Sequence, residues 1–101
     1  MENDFLKFIS DVRASVLHGA ELSPAYSTSD SELVLSCIPQ IAQLVLNEMA
    51  RVAVDRDLTV EERDVVLDLE RILRRLRSEE NIRLDALKKF DAMSVGGVAH
   101  A

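Results

Sequence analysis

The stretch from Leu33 to Val54, LVLSCIPQIAQLVLNEMARVAV, sets the terms for the rest of the chain. Wound at 3.6 residues per turn, Leu33, Val34, Cys37, Ile38, Ile41, Leu44, Val45, Met49 and Val52 cover one broad arc, and Leu35, Ala42, Leu46 and Ala53 widen it. Ser36, Gln40, Gln43 and Asn47 make the only polar strip. A surface helix of a globular domain needs an apolar stripe a little over ~100° wide, so an arc about twice that has to be covered from two directions. A bilayer would cover it too, but a span needs ~20 predominantly apolar residues. Gln40, Gln43, Asn47, Glu48 and Arg51 interrupt this run. A helix packed by protein on both flanks is therefore expected, and a membrane span is not.

What can pack there follows from the remaining text. The chain has 101 residues, 48% of them hydrophobic and 30% charged, the size and balance of one globular domain. With three glycines, two prolines and 4% aromatics there is little turn punctuation and little strand-forming material, so the expected class is all-α. Asn3 or Asp4 can cap a first helix that aligns Phe5, Phe8, Ile9, Val12, Val16 and Ala20, with Gly19 as its C′ residue. The segment ELSPAYSTS, 21–29, reads as a loop in which Tyr26 tucks its ring against the helices. Ser29 and Glu32 match a capping box, which starts the central helix at Asp30. Pro39 removes a donor and crowds the Leu35 carbonyl, so a kink is expected there, in preference to a restart near Ser36.

After DRDLT, Thr59 and Glu62 form a second capping box and open a third helix, and so short a connection makes the two helices antiparallel. Val65, Val66, Leu69, Ile72, Leu73, Leu76, Leu84, Leu87 and Phe90 form its stripe, interrupted only by Glu80. Acid-first pairs Glu70–Arg74, Glu79–Arg83 and Asp85–Lys89 support a helix from Val60 to about Met93. The remainder, SVGGVAHA, reads as a mobile tail over 94–101, leaving 1–93 as the domain. At 1.5 Å per residue the third helix overshoots its neighbour and carries Leu87, Phe90 and Met93 with it. Either the first helix or a second copy has to cover them. The expected architecture is a three-helix domain, a long antiparallel hairpin of about 30–56 and 60–93 braced by the N-terminal helix, completing its core as an oligomer and first of all as a homodimer.

A formal net charge of −6 and a pI near 4.8 argue against backbone binding to nucleic acid, which requires a basic surface. A single cysteine and the lack of a leader pattern make a cytoplasmic location the expectation. The segment DRDLTVEERDVV looks acidic enough for a calcium loop, but Val60 and Val66 stand where that loop needs glycine and a bidentate glutamate. Asp55 and Asp57 are better read as turn residues, and Glu61 and Glu62 as acids at a helix N-terminus. His18 falls near a helix end, His100 in the tail, and Cys37 on the apolar arc as a small buried hydrophobe. No ligand spacing and no phosphate loop is present, so neither a cofactor, a metal nor an enzymatic activity is expected.

The most distinctive surface feature is the arginine run Arg71, Arg74, Arg75 and Arg77, the one locally basic stretch, falling away from the apolar stripe. With Leu87 and Phe90 it supplies the candidate partner-binding residues. A solvated face with intrahelical ion pairs is the plainer explanation, and the charge balance favours a protein ligand over RNA. Asp30-Ser31 at a helix start is similar to the serine of carrier proteins that takes a phosphopantetheine arm, although Glu32 stands where those proteins have leucine and the third helix is far longer. LVL at 33–35, a helix, DLT at 57–59 and an acid-rich helix start resemble the layout of the gas-vesicle accessory protein K family over about half the chain. That resemblance implies a subunit of a larger assembly. The expected function is a nonenzymatic protein-interaction module, an adaptor, inhibitor or immunity-type protein acting through helical surfaces. The alternatives are a structural subunit and nucleic-acid binding through the arginines.

Overall fold

A computed structural model describes residues 3–22 and 27–100, with side chains described over 3–19 and 27–93. Among them are three helices and no strand: α1 Asp4–Leu22, α2 Thr28–Asp55 and α3 Val60–His100.

Local chemistry sets each helix start. The Asn3 Oδ1 accepts the Leu6 N–H at 3.0 Å and caps α1. At α2 the cap is Ser27, in extended backbone, whose Oγ accepts the Asp30 N–H at 3.1 Å. The helix thus begins two residues before the expected Ser29–Glu32 box, because either serine can satisfy the orphan amides and Ser27 reaches them first. At α3 the capping box is reciprocal, as expected. The Glu62 N–H donates to Thr59 Oγ1 at 3.1 Å and the Thr59 N–H to Glu62 Oε1 at 2.7 Å.

Helix ends depart further from expectation. Helix α1 runs past Gly19 to Leu22, and no described residue has a positive φ. A glycine inside a helix costs roughly 1 kcal/mol against alanine but does not by itself terminate it. Helix α2 continues through Pro39 as one element, so the chain does not restart at Ser36. Helix α3 stays helical to His100, beyond the Met93 end that the glycine pair suggests. Tyr26 and most of the loop that holds it lie outside the described residues.

The hairpin of α2 and α3 turns over Arg56–Thr59, and α1 lies along it, parallel to α3. Arg13 of α1 pairs with Asp68 at 3.2 Å. Helix α1 packs chiefly on α3 and touches α2 much less. Phe5 and Ile9 from α1, Ile38 and Val45 from α2, and Val65, Leu69 and Leu73 from α3 form the core. Each fully buried side chain of this kind contributes about 1.5–3 kcal/mol.

All three helix ends at the turn converge on one carboxylate. Glu62 is fully buried and takes two hydrogen bonds from Arg56, at 2.7 and 2.8 Å, just after α2. The Arg56 guanidinium holds its carboxyl down from the ordinary 4.5 to about 2 against the opposing effect of burial, helped by Thr59 and by the Asn3 side chain. At the far end α2 is tied by a smaller cluster. Ser31 Oγ donates to Glu80 Oε1 at 2.7 Å, and Arg83 Nη1 to Glu80 Oε2 at 3.0 Å. The residue that interrupts the α3 stripe is therefore buried and satisfied, and it diverts Arg83 from Glu79, which pairs with Arg75 instead. The pairs Glu70–Arg74 and Asp85–Lys89 form as expected.

Past Arg83, α3 has no α2 beside it. Phe90 and Met93 are 66% and 74% exposed, so the first helix does not cover them. The result is a rod of 68 × 23 × 16 Å with a radius of gyration of 18.2 Å, where a compact domain of this length would have ~13 Å.

Candidate functional site

The broad arc of α2 is divided by α3. Ile38 and Val45 point at α3 and are buried, and the two flanks on either side of them meet different surroundings. The flank of Leu33, Val34, Cys37 and Ile41 borders a cleft of about 430 Å³ that α1 shares through Val16 and Gly19. The flank of Ala42, Leu46 and Met49 borders a groove of about 530 Å³ whose other wall is Val66, Leu67 and Leu73 of α3. No residue of α1 lines this groove. Leu46 and Leu67, one on each wall, are 55% and 54% exposed.

The opposing flank also opens further than the sequence suggests. Cys37 is exposed where a buried small hydrophobe was expected, because α1 stands off from this part of α2. Among the described residues α2 is the one helix long and apolar enough to cross a membrane by length and composition, and most of its apolar stretch is not buried. The accessible surface of the whole chain is 7456 Å², against ~5,700 Å² for a compact folded monomer of 11.3 kDa, an excess that belongs to the extended rod as a whole.

Charge enters the groove from α3 alone. Glu70, Arg74 and Arg77 line it, while the residues that α2 contributes are all apolar. The Arg74 Nη2 pairs with Glu70 Oε1 at 2.6 Å, and Arg77 has no ion pair among the described residues. Arg77 also borders a smaller depression with Leu35, Pro39 and Asn81, which prolongs the groove toward the start of α2. The arginine run does not form one patch. Arg74 and Arg77 stand on the groove, whereas Arg71 and Arg75, one turn apart, share a face outside it, with Arg75 paired to Glu79 at 2.9 Å. Leu87, half-buried, and Phe90, exposed, lie on the projecting end of α3, away from the groove.

No group of three or more His, Cys, Asp or Glu among the described residues converges in a way that could hold a metal ion. Ser31, the serine similar to that of carrier proteins, is fully buried and its hydroxyl is donated to Glu80. A serine that takes a prosthetic arm has to be reachable, and this one is not. The α2–α3 groove itself was only half legible. Leu35, Ala42 and Leu46 announce a second apolar flank, but nothing in the periodicity of α1 says on which flank it will lie.

No protein-family model, no curated protein and no solved structure matches the chain, so neither layout resemblance gains support from comparison.

Proposed function

We propose that the chain is a nonenzymatic protein-interaction module that works through helical surfaces and associates with itself. The observation that carries this reading is the apolar groove between α2 and α3, bare of α1, with Leu46 and Leu67 half open on its walls. Leu33, Leu44 and Val54 of α2 are exposed as well, and extensive exposed apolar surface marks a binding face. An adaptor, inhibitor or immunity-type role needs no more than such a face and a fold that holds it.

The reading is tested by affinity capture of the tagged full chain from its native host at physiological salt, with Leu46→Glu as the control. Stoichiometric recovery of a protein partner, or of untagged copies of the chain, that the control loses is the expected result. Recovery of nothing by the wild type at micromolar concentration would overturn it.

A second reading, a structural subunit of a homo-oligomeric or larger assembly, is favoured by the projecting end of α3. Phe90 and Met93 lie there, apart from the groove, so two separate adhesive surfaces on one rod would propagate beyond a dimer. Light scattering separates the two, because a module stops at a defined small oligomer and a subunit grows with concentration. Binding of nucleic acid through the arginines is the weakest alternative, since they stand on different faces and the chain carries −6.

A further inference from the structure

We infer that the occupant of the α2–α3 groove is a second copy of this chain, with the groove-side edge of α3 from each copy lying in the groove of the other. The inference rests on the interaction reading above and specifies its surface, its partner and its register.

Two observations carry it. The first is shape. The groove is a furrow whose α2 wall spans Ile38 to Met49, about three helical turns, and α3 is an adjoining ridge that bears the exposed Leu67. A two-fold axis beside α3 sets ridge into furrow twice at once, because an isologous contact repeats every pairing. The four helices then form two layers, α2 and α3 against α3 and α2 of the second copy, and Leu46 and Leu67 are covered in both.

The second observation is the order of charges. Glu70 and Arg77 lie about two turns apart, so they point almost the same way along the groove edge of α3. When two copies of α3 run antiparallel with the axis midway between these residues, Glu70 of each copy faces Arg77 of the other. The unpaired arginine gains its acid, and it does so at both ends of the contact. Arg74 comes close to the axis and to its own symmetry mate. It arrives already joined to Glu70 at 2.6 Å, so each side presents the sequence Arg74–Glu70–Arg77 of the second copy as a linked row. A shift of α3 by one turn in either direction would set Arg77 beside apolar or like-charged neighbours, which gives the charge order its selectivity.

Such an arrangement leaves α1 on the outside and the ends of α3 projecting in opposite directions. It also accounts for the uncharged groove wall of α2, since all the polar recognition is between the two copies of α3.

The test is the oligomeric state of the full chain together with the register. Light scattering and sedimentation of the wild type are expected to give a dimer of about twice 11.3 kDa. Leu46→Glu, at a half-exposed position that leaves the protomer core intact, is expected to weaken it by about 100-fold or more, with circular dichroism unchanged. Arg77→Glu sets like charges against each other and is expected to weaken it by about tenfold, and the double variant Glu70→Arg, Arg77→Glu to restore most of that loss. In a Cys37→Ser background, mixing Glu70→Cys chains with Arg77→Cys chains is expected to give the mixed disulfide in preference to either symmetric one. A strict monomer overturns the inference, while the interaction reading then stands or falls on capture of another protein. A dimer indifferent to Leu46→Glu overturns it too and moves the contact to the end of α3. Flotation of the wild type with phosphatidylcholine vesicles, lost on Leu46→Glu, would put a bilayer in the place of the second copy.

Discussion

Glu62 joins the starts of α1 and α3 to the end of α2, and its ionised form is what the site is built to hold. Because its folded pKa lies below the unfolded value, its contribution to stability is complete above about 4.5 and is lost as the pH falls toward about 2. Urea midpoints measured between pH 5 and pH 2 are expected to decline through that window in the wild type and to decline less in Glu62→Gln. At neutral pH the same substitution is expected to cost about 2 kcal/mol, the worth of hydrogen bonds to a charged group, with the urea slope unchanged. The other buried acid, Glu80, is held across the helices by Ser31. Ser31→Ala leaves Glu80 short of one partner and is expected to cost about 1–2 kcal/mol, whereas Ser31→Ala with Glu80→Leu removes both polar groups and is expected to recover most of it in a double-mutant cycle. At this scale the sequence was informative about half of each cluster. The Thr59–Glu62 spacing discloses the capping box, but Arg56 and Asn3 meet Glu62 only because three helix ends share one place. Glu80 stands out as a gap in an apolar stripe, and its partner Ser31 is 49 residues away in the chain.

Helices α1 and α2 each carry one residue that the local sequence argues against. Gly19 lies inside α1, and a Cβ there would meet nothing within 4 Å. Gly19→Ala is therefore expected to stabilise the chain by up to about 1 kcal/mol, read as a raised urea midpoint. Pro39 is exposed inside α2, so Pro39→Ala restores a backbone donor without removing core packing and is expected to stabilise by up to about 3 kcal/mol. The existence and the stripes of all three helices were legible because apolar spacing at 3.6 residues is strong in each. Their ends were not, since glycine and serine offer several competing caps and tertiary contacts choose among them. The long overhang of α3 was legible from length alone. That α1 leaves it bare was not, because α1 is drawn to the turn by Phe5, Ile9 and the Arg13–Asp68 pair.

For the whole molecule the decisive quantity is surface. A rod that exposes about 1,700 Å² more than a compact monomer is held, among the described residues, by a thin core of seven buried apolar side chains. Whole-molecule shape was the part least accessible to sequence, since periodicity fixes which faces are apolar and not which faces meet. One consequence of the turn cluster appears only at this scale. With all three helix ends fastened at Glu62 and, among the described residues, the Ser31–Glu80 tie at the opposite pole, the hairpin is held unevenly, like tongs pivoted at one end. Thermal opening should start at the tips. Amides of 31–37 in α2 are expected to exchange with solvent faster than those of 45–52, and Ser31→Ala should widen that gradient while leaving the pivot half unaltered. A body clasped between the tines would suppress it.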